Sequence, residues 1–234
     1  DVHLGNHRQH GGAEVAGVNA RCSEIAAILG EAMTLPQAGD TIVILGDLFD
    51  SARPSPQVIS TAMAALSARA DGVSVVILVG NHDRRSDAPG DTALAPLDWL
   101  PDVDVVERPM VLHRSGARLL LVPYMPDQCA GDLVATIAAL GDQSTRRTDL
   151  PLIVGLHAGI VADDMAPWAK TARNAIHHET LGAACRGVGA KLAISGDWHS
   201  HAVYPYMGTM ATVIQCGALV PTGWNNPGLD GYGS

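Results

Sequence analysis

The chain has 234 residues, 47% hydrophobic and 17% charged, which excludes wholesale disorder and suits a single domain over residues 1–234 with a substantial core. Lys and Arg total 15 against 24 Asp and Glu, a formal net charge of −9, and the only lysines are Lys170 and Lys191, so the chain is poor in the cations that neutralise nucleic-acid phosphates. That deficit would be offset at a substrate site holding two divalent cations, which add roughly four positive charges.

Asp1 is not preceded by an initiating Met, and one β-strand is expected before it; the end, Gly231–Ser234, looks equally cut. Glu14 to Glu31 is Ala-rich with Val15, Val18, Ile25, Ile28 and Leu29 at helical spacing, and reads as a helix. Thr41–Leu45 is a β-branched apolar run ending at Gly46, a buried strand. Ser55–Ala70 reads as a helix with Pro56 in its first turn, and Ser74–Val79 as a second buried strand. Val103–Val106, Met110–His113 and Arg118–Val122 read as strands of a second sheet. A helix over Asp127–Leu140 precedes strands at Leu152–Leu156, Leu192–Ser195, Ala202–Tyr206 and Thr212–Cys216. Strands alternating with helices in the first half predict a largely parallel sheet, and the later hairpin-like strands a mixed one. The expected architecture is α/β, with two sheets face to face and helices outside.

The polar residues gather just after the apolar strands, where open α/β sheets bind ligands. Asp1-Val2-His3 would follow the strand expected before it. Gly46-Asp47-Leu48-Phe49-Asp50, Gly80-Asn81-His82-Asp83, Gly155-Leu156-His157-Ala158-Gly159 and Ser195-Gly196-Asp197-Trp198-His199-Ser200-His201 each end a strand. Every group brings Asp or His, or Asn with them, and in the last four a glycine lets the backbone turn sharply. Carboxylate and amide oxygens with imidazoles suit Mn, Fe, Zn or Mg-type cations. Two such ions about 3.5–4 Å apart can clamp the attacking and leaving oxygens of an in-line displacement, and one carboxylate must bridge them.

The order Asp-x-His, Gly-Asp-x-x-Asp, Gly-Asn-His-Asp, Gly-x-His, Gly-x-x-His resembles the calcineurin-like metallophosphoesterase superfamily, from Asp1 to about Gly217. Asp1-Val2-His3-Leu4-Gly5, and Gly46–Asp50 followed by Arg53-Pro54-Ser55, resemble a narrower branch: the nuclease subunit of the double-strand-break repair exonuclease and its bacteriophage relatives. Gly217-Ala218-Leu219-Val220-Pro221-Thr222 resembles the segment after that branch's last motif. The resemblance implies a four-layer α-β-β-α sandwich and two divalent ions, Mn first, with Fe, Zn, Mg or Ni as alternatives. By motif, Asp1 and His3 would hold one metal, Asp47 would bridge, and Asn81 and His157 would hold the other. His82 would sit over the substrate, donating to the phosphate or protonating the leaving oxygen, with Asp83 orienting it. The last motif departs from the family's Gly-His-x-His. Aligned on Gly196, Asp197 replaces the first histidine; alternatively the pair slides to His199 and His201. Either way His199 is a ligand, and the glycine alignment is preferred.

Other polar residues read differently. Asp50 reads as a turn or helix cap near Pro54 before a ligand. His7 and His10 read as exposed loop residues, and His113 as a strand residue without a role. His177 and His178 lie in a segment that would reach toward the site. Arg84 and Arg85 are placed to meet substrate phosphate but read first as a solvated loop. Trp168, Trp198 and Trp224 default to core packing, with Trp198, nearest a metal motif, the candidate for stacking on a base. Cys22, Cys129, Cys185 and Cys216 have no paired spacing and read as free, mostly buried thiols of a reducing, cytoplasmic compartment. No apolar run is long enough to span a bilayer.

The implied reaction is phosphate-ester hydrolysis. Its first reading is a DNA-repair-type nuclease, with an ATPase partner subunit and a homodimer as that resemblance implies. The second is a compact phosphodiesterase for small substrates such as cyclic nucleotides, which the acidic charge and the lack of a visible capping domain favour. The third is a non-catalytic binding scaffold, supported only by the Asp197 departure.

Overall fold

In a computed structural model, which describes residues 1–8, 11–114, 116–143, 149–205, 208 and 210–220, the stretch expected to begin a helix at Glu14 first turns back on itself. β1 (Glu14–Val15) and β2 (Val18–Asn19) pair antiparallel across Ala16 and Gly17, at φ 53° and 82°. Left-handed φ is incompatible with a helix interior, so the turn outranks the periodicity. Asn19 then caps α1 (Ala20–Met33), accepting a 2.9 Å hydrogen bond from the Cys22 amide. The chain divides into two compact units, Asp1–Val105 and the residues from Val106 onward.

In the first unit, β3 (Thr41–Ile44) is followed by α2 (Pro56–Leu66), which Ser55 caps. α2 stops four residues before the expected Ala70, because Arg69 folds back and donates to the Leu66 carbonyl at 2.6 Å and that of Val73 at 3.2 Å. β4 (Ser74–Leu78) pairs parallel with β3, Thr41 opposite Ser74, and has Val75–Leu78 all buried, as a central parallel strand should. β5 (Val103–Val106) completes the order β3-β4-β5. The sequence assigned it to the second sheet. It joins the first, the Val75 amide reaching the Asp102 carbonyl at its entry (2.8 Å). Helices α1 and α2 pack together, burying Cys22, Ile25, Leu29 and Met33 on one and Val58, Ala62, Ala65 and Leu66 on the other.

The second unit opens with an antiparallel hairpin, β6 (Met110–Arg114) and β7 (Ala117–Val122). α3 (Ala130–Gln143) leads to β8 (Leu152–His157), parallel to β7. Three short elements follow that periodicity could not find: β9 (Gly159–Val161), α4 (Pro167–Lys170) and β10 (Ala175–His177), with β9 and β10 parallel. α5 (His178–Gly187), β11 (Leu192–Gly196), β12 (Ala202–Tyr204) and β13 (Thr212–Gln215) finish the unit. The sheet order is β12-β13-β11-β8-β7-β6. Leu120, Leu133, Ile137, Val154, Leu156, Leu181 and Val213 pack into its core. The mixed α/β class with helices flanking the sheets is as the alternation of elements predicted, but the described strands fall into four sheets where two were expected. Among the described residues no helix is long and apolar enough to cross a membrane.

Candidate active site

The first unit gathers its polar residues at the ends of β3 and β4. Asp47 leaves β3 at φ 48° after Gly46 at φ 110°. Its carbonyl accepts from the Val2 amide (2.9 Å) and the His3 amide (3.0 Å), which lays Asp1–Leu4 alongside Asp47–Phe49. His3 is also left-handed, at φ 53°. Non-glycine residues in that region each cost roughly 1–3 kcal/mol and persist where their surroundings over-determine them. Asp47 Oδ1 accepts from the His82 amide at 2.8 Å, and its Oδ2 lies 3.8 Å from His3 Nε2. Gly80 leaves room for this carboxylate: a Cβ there would stand 2.1 Å from Asp47 Oδ1. His3 and Asp47 are 2% and 1% exposed, Asp1 is buried, and Asn81 is half-buried in the loop after β4. His3, Asp47 and exposed His82 bring one ligand atom each within 4.8 Å of one another.

Two expectations change here. Asp83 does not orient His82. It is fully buried, and its carboxylate accepts from the amides of Phe49 (2.9 Å), Gly80 (3.0 Å) and Leu48 (3.3 Å), tying the two strand-end loops together. The His82 ring is held by the Asp50 main chain, Nδ1 donating to that carbonyl at 2.9 Å. A carbonyl only accepts, so Nδ1 carries the proton, and Nε2 is left to exchange one with a ligand.

Asp50 is likewise no helix cap, since Ser55 caps α2. Its carboxylate lies 3.7 Å from His3 Nδ1 and 3.8 Å from His7 Nδ1. His3 above all, then His7 and His82, hold it below the usual carboxylate range against the opposing effect of burial. Asp50 thus faces two imidazoles at once, its carboxylate within ion-pair reach of His3 and its carbonyl hydrogen-bonded to His82. Gly5 makes the approach feasible, because a Cβ there would meet the Asp50 Cβ at 2.8 Å. His7 is drawn in rather than exposed, with Nε2 donating to the His3 carbonyl at 2.9 Å. His10 lies outside the described residues.

The second unit presents its own cluster at the ends of β8 and β11. His157, 1% exposed, has Nε2 3.8 Å from Asp197 Oδ1. Asp197 is left-handed at φ 82°. Asn174, at φ 55° and buried, donates from Nδ2 to the His157 carbonyl (3.1 Å) and to Asp197 Oδ2 (3.3 Å). Gln215 locks the following loop, accepting from the Ile160 amide at 3.0 Å and donating to the Ser200 carbonyl at 2.6 Å. Neither residue carries a local sequence signal. His199 is half-buried, its carbonyl accepting from the Ala218 amide at 3.1 Å. Of the two alternatives, Asp197 lies against His157, whereas His201 is exposed with Nδ1 3.4 Å from the Cys216 carbonyl.

The remaining candidates are accounted for. Arg84 pairs with Asp87 at 3.3 Å, and Arg85 donates to the Ala52 carbonyl at 2.9 Å. His177 caps α5, and His178 stacks between His177 and Tyr204, with centroids at 4.6 and 4.3 Å. His113 is an exposed residue of β6. Trp168 is 72% exposed rather than core, Trp198 is half-buried, and Trp224 lies outside the described residues. All four cysteines are free, Cys22 and Cys185 buried and Cys129 exposed.

Donor chemistry and spacing both fit divalent cations. Two atoms bound to one ion at about 2.1 Å cannot be more than about 4.2 Å apart. The His3–Asp47 and His157–Asp197 separations, both 3.8 Å, meet that limit and are too long for hydrogen bonds.

The family model for calcineurin-like phosphoesterases matches residues 1–201. Among solved structures, the phosphopantetheinyl hydrolase PptH of Mycobacterium tuberculosis is similar at 14% identity, over 82% of this chain and 84% of that one, with a TM-score of 0.49.

Proposed function

We propose a substrate and a division of labour from one premise: the chain belongs to the calcineurin-like phosphoesterase family and is a metal-dependent phosphoester hydrolase. The substrate we propose is a nucleotide phosphodiester, cut in the manner of the repair nucleases that the Asp1–Gly5 and Gly46–Ser55 segments resemble. The observation that carries the hydrolytic reading is the group His3, Asp47 and His82: two buried ligand types beside an exposed imidazole.

In this reading Asp1, His3 and Asp47 would hold a cation with Asn81 as a further candidate ligand of the first unit, and His157, Asp197 and His199 are the candidate ligands of the second unit, with Mn the proposed ion. When bound, the cations would supply Lewis acidity and lower the pKa of a bound water towards about 7. His82 offers Nε2 to the phosphoryl or leaving oxygen, its ring set by the Asp50 carbonyl. Asp50 keeps His3 turned toward Asp47. Asp83 holds the two loops in register.

A second reading, hydrolysis of small diesters such as cyclic nucleotides, is favoured by the net charge of −9. The test is hydrolysis with added Mn of bis-p-nitrophenyl phosphate, 2′,3′-cyclic AMP and linear duplex DNA, alongside metal analysis of the same protein. Degradation of DNA supports the nuclease reading and makes an ATPase partner subunit worth seeking. Cleavage of the small diesters alone supports the second reading. A protein that binds no metal and cleaves none of the three is a scaffold, and the proposal fails.

A further inference from the structure

We propose that Trp168, steadied by Trp198, is the surface on which a planar nucleobase of the substrate stacks. The inference rests on the nucleotide reading of the site and adds to it the means by which the base is recognised.

Trp198 stands between Asp197 and His199 in the strand-end loop after β11. Its indole lies directly on Gly159 of β9, where a Cβ would be 2.3 Å from Cε2 and 2.4 Å from Nε1. Only glycine accommodates the ring there, so its position is fixed by the sheet. Trp168 meets it from α4, with ring centroids 6.2 Å apart and planes inclined at 47°, an arrangement within the range of favourable aromatic pairs. Ala169, 3% exposed, anchors the short helix beneath, while Trp168 itself stays 72% exposed.

A single exposed apolar side chain needs no explanation. This one is different because it is braced by a second indole whose sequence neighbours, Asp197 and His199, belong to the proposed metal centre. A phosphate ester bound there would bring its adjoining nucleoside close to Trp168. Cations near Trp168 in the sequence are already engaged. Lys170 donates to the Asp163 carbonyl, and Arg173 pairs with Asp127. With those cations partnered, what Trp168 itself offers is an exposed ring face, the recognition mode for an unstacked base. Stacking on one aromatic side chain changes binding about 5- to 150-fold.

The test compares thymidine 5′-monophosphate with 2-deoxyribose 5-phosphate by quenching of tryptophan fluorescence, in a Trp99→Phe background because Trp99 is also exposed. The nucleotide is expected to quench and to bind at least 5-fold more tightly than the base-free sugar phosphate. Trp168→Ala should remove that preference and Trp168→Tyr should restore most of it. The same variants are then assayed with Mn on the methyl esters of both phosphates, where the kcat/KM ratio between the esters should follow the binding ratio. Quenching lost in Trp168→Ala supports the stacking surface even if neither ester is cleaved, a result that would count against the hydrolytic reading alone. Equal binding of both phosphates, or a preference unchanged in Trp168→Ala, overturns the proposal even if both esters are hydrolysed.

Discussion

Replacing Asp83 by alanine separates two roles that one carboxylate might be given. The side chain is fully buried and accepts three amide hydrogen bonds, at 2.9, 3.0 and 3.3 Å. Hydrogen bonds to a charged group contribute about 1.5–3 kcal/mol each, and a buried donor left without a partner costs about 1–3 kcal/mol. Taking all three near the low end, since they share one acceptor and the third is long, gives a loss of about 4 kcal/mol. Total stabilities are about 5–15 kcal/mol, so Asp83→Ala should bring the protein close to unfolding at room temperature. Asp83→Asn, which keeps one acceptor oxygen, should lose roughly half as much. Urea unfolding followed by far-UV circular dichroism, with EDTA present so that metal binding adds nothing, measures both. A loss under about 1 kcal/mol with turnover abolished would refute the bracing role and reinstate Asp83 as the group that orients His82.

Three further outcomes follow from the geometry. His82→Ala should lower turnover about 10²- to 10⁴-fold with the metal content of the purified protein unchanged; unaltered turnover would remove His82 from the chemistry. Asp50 has its folded pKa depressed, chiefly by His3, so its contribution to stability is complete above the unfolded value near 3.9 and is lost as pH falls through the lower folded value. Melting temperatures of the wild type and Asp50→Asn should therefore differ at neutral pH and begin to converge as the pH falls below about 4, and a constant gap would contradict the pairing. Burial pushes the Cys185 thiol up to about 12, so iodoacetamide at about pH 8 should modify exposed Cys129 and leave Cys185 untouched until the protein unfolds. Mass spectrometry of tryptic peptides reads this directly, and equal labelling of both would show the pocket around Cys185 to be open.

The apolar runs at Ser74–Val79 and Leu152–Leu156 announced largely buried parallel strands, because a strand covered on both faces must be apolar; Thr41–Leu45 also announced a parallel strand, but only Ile44 and Leu45 are buried and Thr41–Val43 are half-buried. The residues after such runs were legible as candidate ligands because strand ends are where such folds bind, and because groups with glycine beside Asp, Asn or His recur four times. Helix and turn boundaries were less legible. Ala16 and Gly17 reversed the chain where periodicity called for a helix, and β5 changed sheets because strand pairing is decided between segments, not within one.

By itself the sequence determined the chemistry at the strand ends: which carboxylates and imidazoles are there, and that they suit divalent cations. Only the tertiary structure decided what holds them in place. Asp50 behind His3, its carbonyl on His82, Asp83 beneath the Leu48, Phe49 and Gly80 amides, and Asn174 between His157 and Asp197 are contacts mostly between residues far apart in the chain. Hydrogen bonds of that kind leave no periodicity or spacing in the sequence, because their partners become neighbours only when the strands within each unit have paired.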